Sequence, residues 1–191
     1  MLVMENVSTG YNSRPVLEGV NLKVYPCDFI GIIGPNGGGK TTLIKIILGL
    51  QPVFGGRLSF PGGRIRTGYL PQASQVDRSF PITVREVVAS GIKSRNPFFP
   101  HLSSEQKKRV ESMLEEVGLK ELASKPIGEL SGGQGQKTFL SRALIEKPQL
   151  LILDEPNSHV DKNFEKELYS LLSELSREMA IMLVSHAIGT I

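Results

Sequence analysis

Three short apolar runs constrain this chain more than any other feature: Phe29-Ile30-Gly31-Ile32-Ile33, Leu150-Leu151-Ile152-Leu153 and Ala180 to Val184. Each is nearly unbroken in hydrophobicity, too short for a helix and too continuous for a strand with one wet face. Such runs require cover on both sides. The segments between them carry apolar residues at helical spacing, and strands joined through helical crossovers pair in parallel. The expected architecture is therefore an α/β domain with a parallel sheet between helical layers.

The remaining elements follow from local patterning. Leu17, Val20, Leu22 and Val24 alternate loosely before Pro26, and short strands are expected around 57–60 and 65–70 in a stretch punctuated by glycine and proline. Leu43, Ile46, Ile47 and Leu50 fall on one helical face. From about 82 to 130 the period is helical. Ser103 and Gln106 have capping-box spacing, and Val110, Met113, Leu114 and Val117 repeat on one side before Gly118 ends the helix. Another helix is expected over 132–146, stopping before Pro148, and Phe164, Leu168, Leu171, Leu172 and Leu175 form a further stripe. A chain of 191 residues suits one domain with an inserted subdomain, and two independent cores are not expected.

Composition removes several function classes. The net charge of +3 arises from 22 basic and 19 acidic residues and is concentrated nowhere, so nucleic acid is not an expected partner. The Lys107-Lys108-Arg109 cluster reads as a solvated helix face. The lone Cys27, expected as a buried or edge thiol, excludes an internal disulfide framework and fits a reducing compartment. No apolar run approaches the roughly 18 residues that would cross a bilayer, and the N-terminus meets Glu5 before any signal-peptide core can form. A cytosolic chain is expected, serving a membrane only through a partner.

Chemistry concentrates in three places. Gly34-Pro35-Asn36-Gly37-Gly38-Gly39-Lys40-Thr41 follows a buried strand and precedes a helix, matching a phosphate-binding loop at every fixed position. Its glycines let backbone N–H groups turn toward phosphate oxygens, and the helix N-terminus adds partial positive charge. Lys40 is expected to reach the β and γ phosphates and the Thr41 hydroxyl to bind Mg²⁺. The run 150–153 then delivers Asp154 to the carboxyl end of a strand, where it can hold the water shell of Mg²⁺, and places Glu155 to orient or deprotonate a water. Leu130-Ser131-Gly132-Gly133-Gln134 opens another helix, with Ser131 as its natural cap. It is a second anion-binding terminus, yet one nucleotide cannot easily touch both loops of one chain. His101 and His159 have no ligand partner at usable spacing.

That pentapeptide, the phosphate loop and the acidic strand end together make the chain similar to the nucleotide-binding subunits of ABC transporters over essentially its whole length. The resemblance implies a P-loop NTPase (RecA-like) core with a parallel sheet, an N-terminal antiparallel β subdomain and an inserted α-helical subdomain. It divides one ABC ATPase domain into a core of 1–72 and 134–191 and a helical signature subdomain of 73–133. It also implies ATP and Mg²⁺ as cofactors. Gly34, Asn36, Gly37, Gly38, Gly39, Lys40, Thr41 and Thr42 would hold the phosphates, with Tyr11 stacked on adenine and Thr41, Gln72 and Asp154 around the metal. Glu155, Gln72 and His186 would be the catalytic groups, His186 touching the γ-phosphate. Ser131, Gly132, Gly133 and Gln134 would act in trans, in a head-to-tail dimer of two copies sandwiching two nucleotides, and Asp161 would communicate across it.

The stretch from Asp77 to Val88 and the segment Asp154 to Asp161 resemble bacterial importers of zinc, manganese or iron. Lys125-Pro126-Ile127-Gly128-Glu129 also resembles importers more than exporters. A metal importer implies a membrane permease docking near 72–100, with Phe80, Pro81, Ile82, Val84, Phe98 and Phe99 as groove candidates. It further implies an extracytoplasmic substrate-binding protein acting indirectly, and a place on the cytoplasmic face of the inner membrane. Four positions depart from the family pattern: Gly135, Lys137, Asn157 and Ala187. The chain ends five residues after His186, which reads as a truncation. Three alternatives remain: an ABC importer for another substrate; a soluble ABC ATPase of DNA repair or translation, opposed by the lack of a second cassette, coiled coil or basic tail; and a degenerate subunit, opposed by the intact Lys40, Asp154, Glu155 and His186.

Overall fold

The computed structural model describes residues 1–12, 14–93, 102–157 and 162–185. Phe98, Phe99, His101, His159, Asp161, His186 and Ala187 lie outside the described residues. In chain order the strands and helices are β1 (Leu2–Tyr11), β2 (Arg14–Val24), β3 (Phe29–Ile33), α1 (Lys40–Ile47), β4 (Gly55–Ser59), β5 (Thr67–Leu70), α2 (Val84–Ala89), α3 (Ser104–Glu116), α4 (Gly132–Leu144), β6 (Leu150–Asp154), α5 (Lys162–Leu175) and β7 (Ala180–Ser185).

A four-stranded parallel sheet in the order β3-β7-β6-β5 forms the centre. Strand β6 is buried along its full length, and β7 through Val184. Alternation divides their side chains between two cores. Leu150, Ile152, Met182 and Val184 pack with Ile44, Ile46 and Ile47 of α1 and with Leu2, Met4 and Val7 of β1. Leu151, Leu153, Ile181 and Leu183 pack on the other side with Leu140 of α4 and Phe164, Leu168 and Leu172 of α5. The expectation of cover on both faces therefore holds for β6 and β7. It fails for β3, which lies at the edge of the described sheet with Phe29 40% and Ile33 44% exposed.

A second sheet, antiparallel in the order β2-β1-β4, covers the α1 side. Strand β1 is invisible to a period-two reading because its register shifts between Met4 and Val7, where Asn6 has φ +50°. Leu2 and Met4 point inward before the irregularity, Val7 and Thr9 after it, so alternation slips by one residue. Helix α1 ends at Ile47, and Gly49 at φ +75° turns the chain away, leaving Leu50 exposed rather than on the helical face.

The segment between β5 and α4, the expected insert, gathers a cluster of its own: Val84, Val87 and Val88 of α2 meet Val110 and Leu114 of α3 and Ile127. Phe139 of α4 packs against both this cluster and the α5-side core. Ser103 caps α3 with Gln106 in a reciprocal box, as its spacing predicts. Arg109 is not merely solvated: it donates to the Ile145 carbonyl at 2.6 Å and lies 3.3 Å from Glu146, closing the C-terminal end of α4. Cys27 is exposed in the β2–β3 turn, not buried. Among the described residues no helix is long and apolar enough to cross a membrane.

Candidate active site

The carboxyl ends of β3, β5 and β6 point the same way, because the sheet is parallel, and deliver Gly34, Gln72 and Asp154–Glu155 to one edge. The loop from Gly34 to Gly39 turns through left-handed residues, Gly37 at φ +79° and Gly39 at φ +85°. Gly39 is also the N-cap of α1, and no side chain caps that helix. Its first N–H groups are thus left to an external acceptor, with the helix dipole behind them. A side chain at Gly39 would place its Cβ 2.6 Å from Leu17 Cδ2.

Lys40 is buried, and its Nζ donates to the Gly34 and Pro35 carbonyls at 2.8 and 3.0 Å. The ammonium is thus held at the mouth of the loop by groups it can exchange for phosphate oxygens. Thr41 Oγ1 donates to Asp154 Oδ2 at 3.4 Å, and Gln72 Nε2 donates to Glu155 Oε2 at 2.7 Å. Between these groups lies a cavity of about 330 Å³ whose walls include Asn36, Lys40, Thr41, Gln72 and Glu155. A larger opening of about 720 Å³ lies at the far end of α1 beside Arg57 and Arg64, away from all of these groups.

Electrostatics mark the strand end as a place for a cation. Burial, reinforced by the neighbouring Glu155 charge, pushes the Asp154 carboxyl above its ordinary range, while hydrogen bonds from Thr41 and Tyr69 and the charge of Lys40 oppose this. Tyr69, itself pushed up to about 12 by burial and then by Asp154, donates its hydroxyl to Asp154 Oδ2 at 3.4 Å. No cluster of three His, Cys, Asp or Glu side chains among the described residues could enclose a metal. One buried carboxylate with an adjacent hydroxyl instead suits Mg²⁺, which keeps several waters and takes much of its coordination from phosphate.

Glu155 is the strained residue of the site. Its φ of +49° lies in the left-handed region, which costs a non-glycine residue about 1–2 kcal/mol, and it precedes Pro156, which restricts its backbone further. The conformation is held from outside: the Glu155 N–H donates to the Val184 carbonyl at 3.0 Å. The Asn157 amide donates to Glu165 Oε1 and the Tyr169 hydroxyl at 2.8 and 3.0 Å. Residues in such regions persist where surrounding structure fixes them, commonly at functional sites.

Other expected residues lie apart. Ser131 caps α4, accepting from the Gln134 N–H at 3.3 Å while its own N–H donates to Gln134 Oε1 at 3.0 Å. Neither these two nor Gly132 and Gly133 line the cavity beside Lys40, so within one chain the N-termini of α1 and α4 do not share it. Tyr11 is 42% exposed at the end of β1, 5.9 Å from Lys45 Nζ, and the β2 residue at the cavity wall is Val16. Nothing local distinguishes Val16 or Tyr69 in the sequence: one reaches the cavity wall and the other bonds Asp154 only through the fold. Of the groove candidates, Phe80 is 59% exposed, but Val84 is fully buried in the α2–α3 core. Gly135, a departure from the family pattern, lies where a Cβ would come 3.0 Å from Arg78 Nη2, and Lys137 pairs with Glu167 at 3.3 Å.

Comparison with known proteins accords with this geometry. The ABC transporter family model matches residues 17–158. The chain is 40% identical to the zinc uptake system ATP-binding protein ZurA of Listeria monocytogenes, over 97% of this chain and 76% of that one. It is 39% identical to the manganese transport system ATP-binding protein MntB of Bacillus subtilis, over 96% and 75%. Its fold superposes with a TM-score of 0.83 on a dimeric post-hydrolysis ATP-binding cassette bound to ADP and phosphate, 26% identical, covering all of this chain and 90% of that one. With the phosphate loop, the acidic strand end and the capped glycine-rich helix all inside or beside the matched region, the chain belongs to the ABC transporter family.

Proposed function

We propose that this chain is the ATP-hydrolysing subunit of an importer for a divalent metal ion such as zinc or manganese, working through a separate membrane permease. The observation that carries the ATPase reading is the convergence of Lys40, Thr41, Gln72 and Glu155 on one cavity above the uncapped N-terminus of α1. The metal cargo is supported by the relatives, which are named for zinc uptake and manganese transport.

In this mechanism the N–H groups of the loop 34–39 and of α1 receive the β and γ phosphates. Lys40 exchanges the Gly34 and Pro35 carbonyls for phosphate oxygens, and Thr42 lies one residue further into the helix. Thr41 and Asp154, with Gln72 nearby, would hold Mg²⁺, which supplies charge neutralisation on the phosphates. Glu155 accepts a hydrogen bond from the attacking water and takes its proton as the bond from the γ-phosphorus to the bridging oxygen breaks. Gln72, bonded to that carboxylate in the free chain, sets its direction. Tyr11 is assigned to the adenine, His186 to the γ-phosphate and Asp161 to the dimer contact. Two copies dimerise head to tail, so that Ser131, Gly132, Gly133 and Gln134 of one cover the ATP of the other. Such a dimer sits on the cytoplasmic face of the inner membrane, with the permease docked near 72–100 and a substrate-binding protein delivering metal from outside.

Glu155→Gln tests the assignment. Nucleotide affinity should be kept and an ATP-loaded dimer should accumulate, while phosphate release falls by roughly 10²–10⁴-fold. Unchanged turnover would remove Glu155 from the mechanism.

A further inference from the structure

The peptide that follows Glu155 is gripped by a side chain from a different part of the molecule. Gln136, in the second turn of α4, is buried, and its Nε2 donates to the Pro156 carbonyl at 2.7 Å. A primary amide inside a helix packed on apolar strands is retained only where it is bonded, and its short bond here ends on the residue next to the strained one. Glu155 itself is tied to β7 through Val184, and Asn157 is tied to α5 through Glu165 and Tyr169. The Pro156 carbonyl between them takes its bond from α4. Proline fixes φ at this residue, and the Gln136 bond restrains ψ, the rotation that turns the 156–157 peptide.

The same helix begins with the Ser131–Gln134 cap, five residues before Gln136. The first turn of α4 and the peptide behind Glu155 are therefore two ends of one rigid connection, shorter than two helical turns.

We propose that Gln136 is a positioning residue for Glu155: it locks the Pro156 peptide, and with it the direction of the Glu155 carboxylate, to α4. Hydrolysis in one site then depends on where that chain's own α4 sits. This rests on reading Glu155 as the water-orienting carboxylate, and the test keeps the two apart.

Gln136→Met removes the donor at similar volume, and Gln136→Asn keeps an amide that is one methylene too short. At saturating ATP and Mg²⁺ both should lose kcat by about tenfold or more, as small misplacements of a reacting group do. KM and the Kd for ATP should stay within about twofold, because the phosphate loop is untouched. Hydrogen exchange should accelerate selectively in the peptide covering 154–157. In a Glu155→Gln background, Gln136→Met should produce no further loss, since it acts through the carboxylate already removed. Full kcat in both variants, a raised KM at unchanged kcat, unaltered exchange at 154–157, or an additional loss in the Glu155→Gln background would each overturn the proposal. If Gln136→Met does not fold, Gln136→Asn carries the same measurements, and global unfolding of both would assign Gln136 to stability instead. Wild-type turnover in Glu155→Gln alone would fault the reading of Glu155, while the exchange result would still report on the Gln136 bond.

Discussion

Replacing Gly39 by alanine should force the chain to choose between stability and nucleotide binding. The residue has φ +85° and ψ 2°, and holding an L-residue there costs about 1–2 kcal/mol. The new Cβ would also stand 2.6 Å from Leu17 Cδ2, so Leu17 must rotate, at about 1 kcal/mol. Against this, alanine reduces the entropy of the unfolded chain, returning about 0.4–1 kcal/mol. The net penalty is about 2 kcal/mol if the loop keeps its shape, or a fall in Tm of about 4–8 °C for a chain of this size. The alternative is for residue 39 to relax to negative φ, which spares the fold but turns its N–H groups away from the phosphates. ATP affinity then falls by about 30-fold, the equivalent of the same 2 kcal/mol. Gly37→Ala is the internal control: at φ +79° with no atom within 4 Å of the added Cβ, it carries the backbone cost alone. Scanning calorimetry and isothermal titration on both variants, with Gly39→Ala repeated in a Leu17→Ala background, separate the contributions. A Gly39→Ala chain that melts and binds ATP like the wild type would refute the idea that this left-handed turn is needed for the cradle.

Other perturbations bear on the rest of the site. Asp154→Asn should raise the thermal stability of the nucleotide-free chain near neutral pH. The folded-state pKa of Asp154 lies above its ordinary value, so the folded chain binds the proton more tightly and the penalty of the ionised group appears as pH rises through that pKa. The same variant should lose Mg²⁺-dependent ATP binding, and unchanged melting from pH 4 to 8 would show that burial does not penalise this carboxylate. Lys40→Ala should weaken ATP binding directly, and mixing it with Ser131→Arg should restore part of the hydrolysis that each lacks, because one composite site in the mixed dimer is intact; failure with dimers demonstrably formed would place the whole site in one chain. Phe80→Asp, at an exposed position, should leave basal hydrolysis unchanged while abolishing co-purification with the permease and metal uptake; normal assembly would place the docking surface elsewhere.

The parts of the fold that were legible in the amino-acid sequence are those fixed within a few residues. Buried strands β6 and β7 announce themselves as unbroken apolar runs, and the boxes at Ser103 and Ser131 are complete in four residues each. What was not legible depends on partners far away in sequence. Strand β3 has the same composition as a central strand, yet it lies at the edge of the described sheet, in the order β3-β7-β6-β5, which no local pattern encodes. Strand β1 is hidden by repeated register shifts, the first at Asn6, and the helical run from Leu43 overreaches because Gly49 stops it before Leu50. The site shows the same division. The phosphate loop and acidic strand end are contiguous motifs, whereas Val16, Tyr69 and Gln136 acquire a role only when the chain folds them against those motifs.

That division has a physical consequence for how the site works. Contiguous groups such as the N–H donors of the loop 34–39 share one rigid backbone, so they form a site whose geometry changes little unless the loop itself deforms. Glu155 is different: its backbone N–H is bonded to β7, the following Pro156 carbonyl to α4, and its carboxylate to Gln72, which stands two residues after β5. A shift of the segment after Gln72 or of α4 by even an ångström would move the carboxylate relative to a phosphate still held by Lys40 and Thr41, and misplacements of that size cost about a hundredfold in rate. In the proposed mechanism binding and hydrolysis are therefore separable. Nucleotide affinity would reside in a turn that stands on β3 and α1, while turnover would reside in a strained residue whose supports come from the segments expected to meet the permease and the second copy. A hydrolysis rate that varies with partner contact at constant affinity is the behaviour such a division produces.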